Sequence, residues 1–93
     1  MDRFAAIQLL SALAQPTRME VFFALRDRPE GLSVGDLAKL VDTPPNTMSS
    51  HLSILARAGA VIPSRAGRVV TYSTNPTAVS ELAEFLSSGD PKR

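Results

Sequence analysis

The sequence predicts a mainly α fold of about five helices with one small β-hairpin, built as a single domain. Three observations carry that prediction. Apolar residues recur at helical spacing in five stretches of the 93 residues, the pattern turns β-rich only between Val61 and Ser73, and Pro or Gly stands at each change of element. With 44% hydrophobic and 5% aromatic residues, a chain of this length buries barely enough apolar surface to offset its entropy, so a second copy is an expected source of stability.

Residues 4 to 14 read FAAIQLLSALA. Phe4, Ile7, Leu10 and Ala14 form one apolar stripe and Leu9 and Leu13 another, so the first helix is expected to be buried on more than one side, the second side against a partner subunit. Pro16 restarts the helix after Gln15, and Val21, Phe22 and Leu25, flanked by Met19 and Phe23, carry a second helix to about Arg26. Arg28-Pro29-Glu30-Gly31 breaks it. Ser33-Val34-Gly35-Asp36 has the form of a capping box, and Val34, Leu37, Ala38 and Val41 fall at i, i+3, i+4 and i+7 in a short third helix.

A tight turn at Asp42 and Thr43 leads into the stretch Thr43 to Gly59, TPPNTMSSHLSILARAG. Paired prolines are tolerated only in the first turn of a helix, where their missing N–H groups have no intrahelical partner, so Thr43 is expected to be the N-cap and Pro44 the first helical residue. Met48, Leu52 and Leu55 then make a core-facing stripe, and Gly59 ends the helix. Opposite them, Asn46, Ser49, Ser50, Ser53 and Arg57 form one continuous polar face. A solvated helix normally carries Lys and Glu at such positions; short hydroxyls and an amide instead let the backbone approach a surface, donate to phosphates and read base edges in a major groove. Two helices joined by so few residues, the second with this outer face, form a helix-turn-helix pattern over residues 33–59.

Val61 to Ser64 and Val69 to Ser73 are β-rich runs separated by Arg65-Ala66-Gly67-Arg68, read as a four-residue turn, with Pro63 confining its strand to an edge. The result is a two-stranded wing over residues 60–74 with Arg65 and Arg68 at its tip. Asn75-Pro76 starts the last helix, over 76–88, with Val79, Leu82, Ala83 and Leu86 on one stripe and Phe85 widening it. Residues 89–93 are read as a frayed tail.

Composition excludes several functions. With no cysteine there are no disulfides, thiolate nucleophiles or zinc ribbons. No run is apolar for the length of a membrane span, and MDRFAAIQLL lacks the pattern of a secretory signal, so the chain reads as soluble and cytoplasmic, with no membrane partner. There is no nucleophile–base pair and no phosphate-binding glycine loop, and the single histidine sits in the proposed DNA helix, so no enzyme and no cofactor is expected. Net charge is only +1, but no acidic residue lies between Asp42 and Glu81, where Arg57, Arg65 and Arg68 do. A local basic surface on a near-neutral protein suits a polyanion.

Four successive signatures resemble those of the ArsR-type winged helix-turn-helix repressors. They are Ala12-Leu13-Ala14-Gln15-Pro16-Thr17-Arg18, Leu32-Ser33-Val34-Gly35-Asp36-Leu37-Ala38, Asn46-Thr47-Met48-Ser49-Ser50-His51-Leu52 with Leu55 and Ala58-Gly59, and Gly67-Arg68-Val69-Val70-Thr71-Tyr72-Ser73. The resemblance covers residues 4 to 86. It implies a homodimer built on the first and last helices (1–14 and 76–88), with Phe4, Ile7, Leu10, Val79, Leu82 and Leu86 at the interface, and two recognition helices set for a palindromic operator in double-stranded DNA. It also implies that Thr47, Ser49, Ser50 and His51 lie on or near the DNA, joining Asn46, Ser53 and Arg57, with Arg65 and Arg68 in the wing. His51 lies beside the polar stripe, and its alternative role is a partly buried histidine bonded to backbone. Arg18 is expected in a structural ion pair rather than a phosphate contact.

The departures from the family concern metals. Many members sense metals or arsenite through cysteines, or through an Asp and His arrangement on the last helix. Here the third helix has no thiol, the last offers only Glu81 and Glu84, which read as a solvated face, and the chain ends without paired cysteines, so no metal site is expected and the effector stays open. The alternative function is a winged-helix module that binds an acidic protein partner.

Overall fold

The computed structural model describes residues 1–89 and contains five helices and three strands. Helix α1 (Arg3–Leu13) is capped by Asp2, whose side chain accepts from the Ala5 N–H at 2.7 Å. Helix α2 (Pro16–Arg26) places Pro16 at its first position, where it has no hydrogen bond to lose, and Gln15 caps it by accepting from Arg18 N–H at 2.8 Å. Strand β1 (Leu32–Ser33) precedes α3 (Val34–Leu40), which opens on the expected cap, Ser33 Oγ accepting from Asp36 N–H at 3.1 Å. Helix α4 (Pro45–Arg57), strands β2 (Val61–Ala66) and β3 (Val69–Thr74), and α5 (Pro76–Ser88) complete the chain.

The core is one cluster with no buried polar side chain among the described residues. Met48, Leu52 and Leu55 of α4 are 0% exposed, packed with Leu9, Val21, Leu25 and Leu37 from the three preceding helices. Burying each such side chain contributes about 1.5–3 kcal/mol, and this stripe fixes which side of α4 is left for solvent. No helix among the described residues is long and apolar enough to cross a membrane.

Four expectations need correction. Thr43 is not the N-cap of α4. Its hydroxyl turns back to donate to Val41 O at 3.2 Å, its N–H closes onto Ala38 O, and Asp42 adopts a φ of 52°, so the tight turn is made one residue earlier and Pro44 takes the cap position with no side-chain bond. The wing turn has two residues rather than four. Arg65 pairs with Val70 and Ala66 with Val69, leaving only Gly67 and Arg68 in the turn. Gly67 has a φ of 63° and Arg68 a negative one, the type II′ arrangement that matches strand twist. The sheet has three strands, ordered β1-β3-β2, because Leu32 and Ser33 pair with Tyr72 and Thr71. Among the described residues Arg18 has no carboxylate partner; its side chain bonds Ala12 O and His51. Pro63 does lie on an edge strand, as its missing donor requires. Of the expected frayed tail, Gly89 caps α5, with its N–H on Phe85 O at 2.8 Å, and residues 90–93 lie outside the described residues.

Gly31 is needed where β1 meets β3. Its φ is 89°, and a Cβ there would stand 2.9 Å from Tyr72 O, whereas a Cβ on Gly67 would meet nothing within 4 Å. Gly67→Ala should therefore cost only the left-handed strain of about 1–2 kcal/mol, and Gly31→Ala should cost more because the β1–β3 pairing must also shift. Thermal denaturation of both variants checks this, with the lower melting temperature expected for Gly31→Ala.

Asn75 ties three elements together. Its Nδ2 donates to Gly59 O at 3.0 Å and its N–H to Ala60 O at 3.0 Å, while its Oδ1 accepts from Ala78 N–H, so the end of α4, the root of the wing and the start of α5 share one residue.

Candidate nucleic-acid interface

With Met48, Leu52 and Leu55 turned inward, α4 presents Asn46, Thr47, Ser49, Ser50, Ser53 and Arg57 to solvent. Apart from Arg57 these side chains are short, and none is acidic. Two fold back onto their own helix: Ser50 Oγ donates to Asn46 O and Arg57 Nε to Ser53 O, both at 3.4 Å. Each of these bonds is long, so an outside acceptor closer to optimal distance can replace it. Arg57 also sits in the last turn of α4, where a cation is favoured by the helix dipole.

His51 stands on the flank of this face and is half-buried. Its partner is not backbone: Nδ1 lies 3.4 Å from Nη1 of Arg18, whose Nε donates to Ala12 O at 2.6 Å. Burial, and then the adjacent Arg18 guanidinium, hold the imidazole below its ordinary pKa of 6.5, so it is neutral at pH 7. Because the folded pKa is the lower one, the stability this site contributes is complete above pH 6.5 and declines as pH falls through the folded value.

On the wing both arginines are exposed, but they are placed differently. Arg68 is the second residue of the hairpin turn, while Arg65 lies within β2 opposite Val70 and therefore shares a sheet face with Val61 and Pro63. The tip is accordingly narrower than the sequence suggested. Ile54 went unnoticed in the sequence because it continues neither stripe; it is partly exposed on α4 and shares an open groove of about 490 Å³ with Phe4, Ile7 and Arg57.

The residues expected at a subunit interface divide in two. Phe4, Ile7, Leu10, Val79 and Leu86 are exposed, whereas Leu82 is 8% exposed and belongs with Ala78 to the protomer's own core. Met1 draws the start of α1 toward α5, its amino group lying 3.6 Å from Glu81 Oε2 in a groove shared with Glu84 and Phe85. Among the described residues no group of three or more His, Cys, Asp or Glu could hold a metal ion.

A family model described as a helix-turn-helix domain matches residues 13–63. The HTH-type transcriptional regulator NmtR of Mycobacterium tuberculosis is 37% identical over 87 residues, covering 90% of this chain and 71% of that protein. The HTH-type transcriptional repressor SmtB of the same species is 40% identical over 68 residues, covering 73% of this chain and 49% of that protein. Among solved structures, the ArsR family transcriptional regulator RHA00566 superimposes with a TM-score of 0.79 at 26% identity, covering 95% of this chain and 91% of that one. The homodimeric winged helix-turn-helix DNA-binding domain of Mb0332 from Mycobacterium bovis shares the fold, with a TM-score of 0.75 at 20% identity over 90% of this chain and 77% of that one. Matching in the helix-turn-helix segment, across most of a named regulator and in the whole fold, the chain belongs to the ArsR-type family of DNA-binding transcriptional regulators.

Proposed function

We propose that the protein represses transcription as a homodimer that sets two copies of α4 into successive major-groove segments of a palindromic operator. The observation that carries this reading is the outward face of α4, where Asn46, Ser49, Ser50, Ser53 and Arg57 are all exposed and no carboxylate stands among them. Residues 33–59 act as the helix-turn-helix, residues 60–74 as a wing that touches backbone or minor groove through Arg65 and Arg68, and residues 1–14 and 76–88 as the dimerisation helices. The homodimeric state of a structural neighbour and the exposed apolar stripes of α1 and α5 support the pairing. The chain has no cysteine to supply the thiolates that arsenite and cadmium need, and among the described residues no cluster of His, Asp or Glu is set to hold zinc.

The test uses a duplex selected by the protein itself from a random-sequence pool, with binding followed by fluorescence anisotropy. Arg68→Ala should weaken binding to selected and random duplexes alike and reduce the salt slope by roughly one unit, as one lost phosphate contact does. Asn46→Ala or Ser50→Ala should instead relax preference at particular base pairs, at about 1–3 kcal/mol for a good base contact. Equal weakening on both duplexes by the α4 variants would mean that α4 does not read sequence, and failure to enrich any duplex would favour the acidic protein partner.

A further inference from the structure

The DNA-binding reading uses His51 but gives Arg18 no part. Yet the hydrogen bonds of the Arg18 side chain tie α2 to both α1 and α4. It rises from the first turn of α2, where Gln15 caps its N–H, donates through Nε to the carbonyl of Ala12 in the last turn of α1, and reaches His51 on α4 through Nη1. A guanidinium has five N–H donors and no acceptor, and it keeps its charge at any pH a protein survives. The 3.4 Å contact with Nδ1 of His51 is therefore a hydrogen bond only if Nδ1 is the acceptor. That requirement fixes the ring. A neutral imidazole that accepts at Nδ1 must carry its proton at Nε2, and an imidazolium would set a second N–H against the guanidinium.

We propose that Arg18 is a positioning residue for DNA binding: it locks His51 as a neutral imidazole with its single N–H at Nε2, aimed away from Arg18, and ties that donor to the C-terminal end of α1. The proposal rests on α4 being the DNA helix. Among the described residues Nε2 has no hydrogen-bond partner, while Nδ1 has Arg18. His51 lies one turn after the exposed Thr47 and is half-buried, on the flank of the polar face. A fixed donor there suits a phosphate oxygen or the acceptor edge of a base. The charged groups around the ring are consistent with this state. Among the described residues Arg18 of α2 is the charged group that acts on it, Ala12 of α1 contributes an uncharged carbonyl already taken by Arg18, and the outward face of α4 carries Arg57 and no acid, so none of these groups favours a second proton. Because Ala12 lies in the last turn of the helix that carries Phe4, Ile7 and Leu10, the same side chain connects the proposed dimer surface to the proposed recognition helix.

The first measurement needs no DNA. Long-range ¹H–¹⁵N correlation on the wild-type chain at pH 7.5 should show His51 protonated at Nε2 only, and Arg18→Met should release the ring to a mixture of tautomers and raise its titration midpoint toward the ordinary histidine value. The second uses the selected duplex. Arg18→Met and His51→Ala should each weaken binding about tenfold, the scale of one hydrogen bond, and the double variant should lose no more than either single, because one interaction is removed in all three. His51→Gln, whose amide can accept from Arg18 and donate outward at once, should recover most of the wild-type affinity. A wild-type ring protonated at Nδ1, or a tautomer unchanged in Arg18→Met, would overturn the assignment whatever happens with DNA. If Arg18→Met does not fold, the wild-type tautomer and the His51→Gln rescue decide it. A correct tautomer with His51→Ala and His51→Gln both binding like wild type would overturn the DNA role while leaving the α4 reading intact.

Discussion

Ile7→Asp is expected to turn the protein into a folded monomer and to lower its affinity for a palindromic operator by about 10²–10⁴-fold, the gain that linking two half-site readers confers. Ile7 is 57% exposed in the protomer, midway along the apolar stripe of Phe4 and Leu10, so an aspartate there is solvated in the monomer and leaves the core untouched. In the proposed dimer the same carboxylate would be buried without a partner, a penalty of several kcal/mol against an interface that both copies contribute to symmetrically. Leu82→Asp is the instructive contrast. The sequence makes Leu82 look like the centre of the α5 dimer stripe, but it is buried in its own protomer, and its replacement should unfold the chain rather than dissociate it. Light scattering reports the mass, circular dichroism the fold, and anisotropy the affinity. A folded dimer of Ile7→Asp with unchanged affinity would take the α1 stripe out of the interface.

What could be read from the sequence was what rests on local periodicity. Met48, Leu52 and Leu55 announce the buried side of α4 by spacing alone, and Ser33 with Asp36 announces a cap, because each signal spans only a turn or two of chain. Errors arose where a second local interaction competed. Thr43 has the chemistry of a cap, but its hydroxyl is drawn to Val41 O once Asp42 takes a positive φ, and nothing in the side-chain pattern marks Asp42 as the residue that bends. In the wing, Gly67 followed by Arg68 did carry the mark of a two-residue turn, and extending the turn over Arg65 and Ala66 overlooked it. Strand β1 is two residues long, too short for any period, and exists only because Tyr72 and Thr71 lie alongside. The Arg18–His51 contact joins residues 33 positions apart, so helical spacing holds no trace of it.

The face of α4 proposed to read DNA exists only because the opposite face is held in the core, and Leu52→Ala with its neighbour Ser53→Ala separates the two roles. Leu52 is fully buried among the helices, so truncation loses its transfer free energy and leaves a cavity that rigid neighbours close only in part, together about 2–5 kcal/mol. Small domains have about 5–15 kcal/mol in total, so the loss is a large fraction, and the melting temperature should fall on the order of 10–40 °C. Ser53 is exposed, carries no buried group, and leaves its carbonyl free to accept from Arg57 when its hydroxyl is removed, so Ser53→Ala should change stability by less than about 0.5 kcal/mol. Binding should show the reverse order at a temperature where both variants are folded: Leu52→Ala close to wild type, Ser53→Ala weaker on the selected duplex. Thermal denaturation and anisotropy on the same two proteins give all four numbers. A Ser53→Ala that melts early and binds normally would mean that α4 turns its serine face to the protein, and the proposed recognition surface would have to be sought elsewhere.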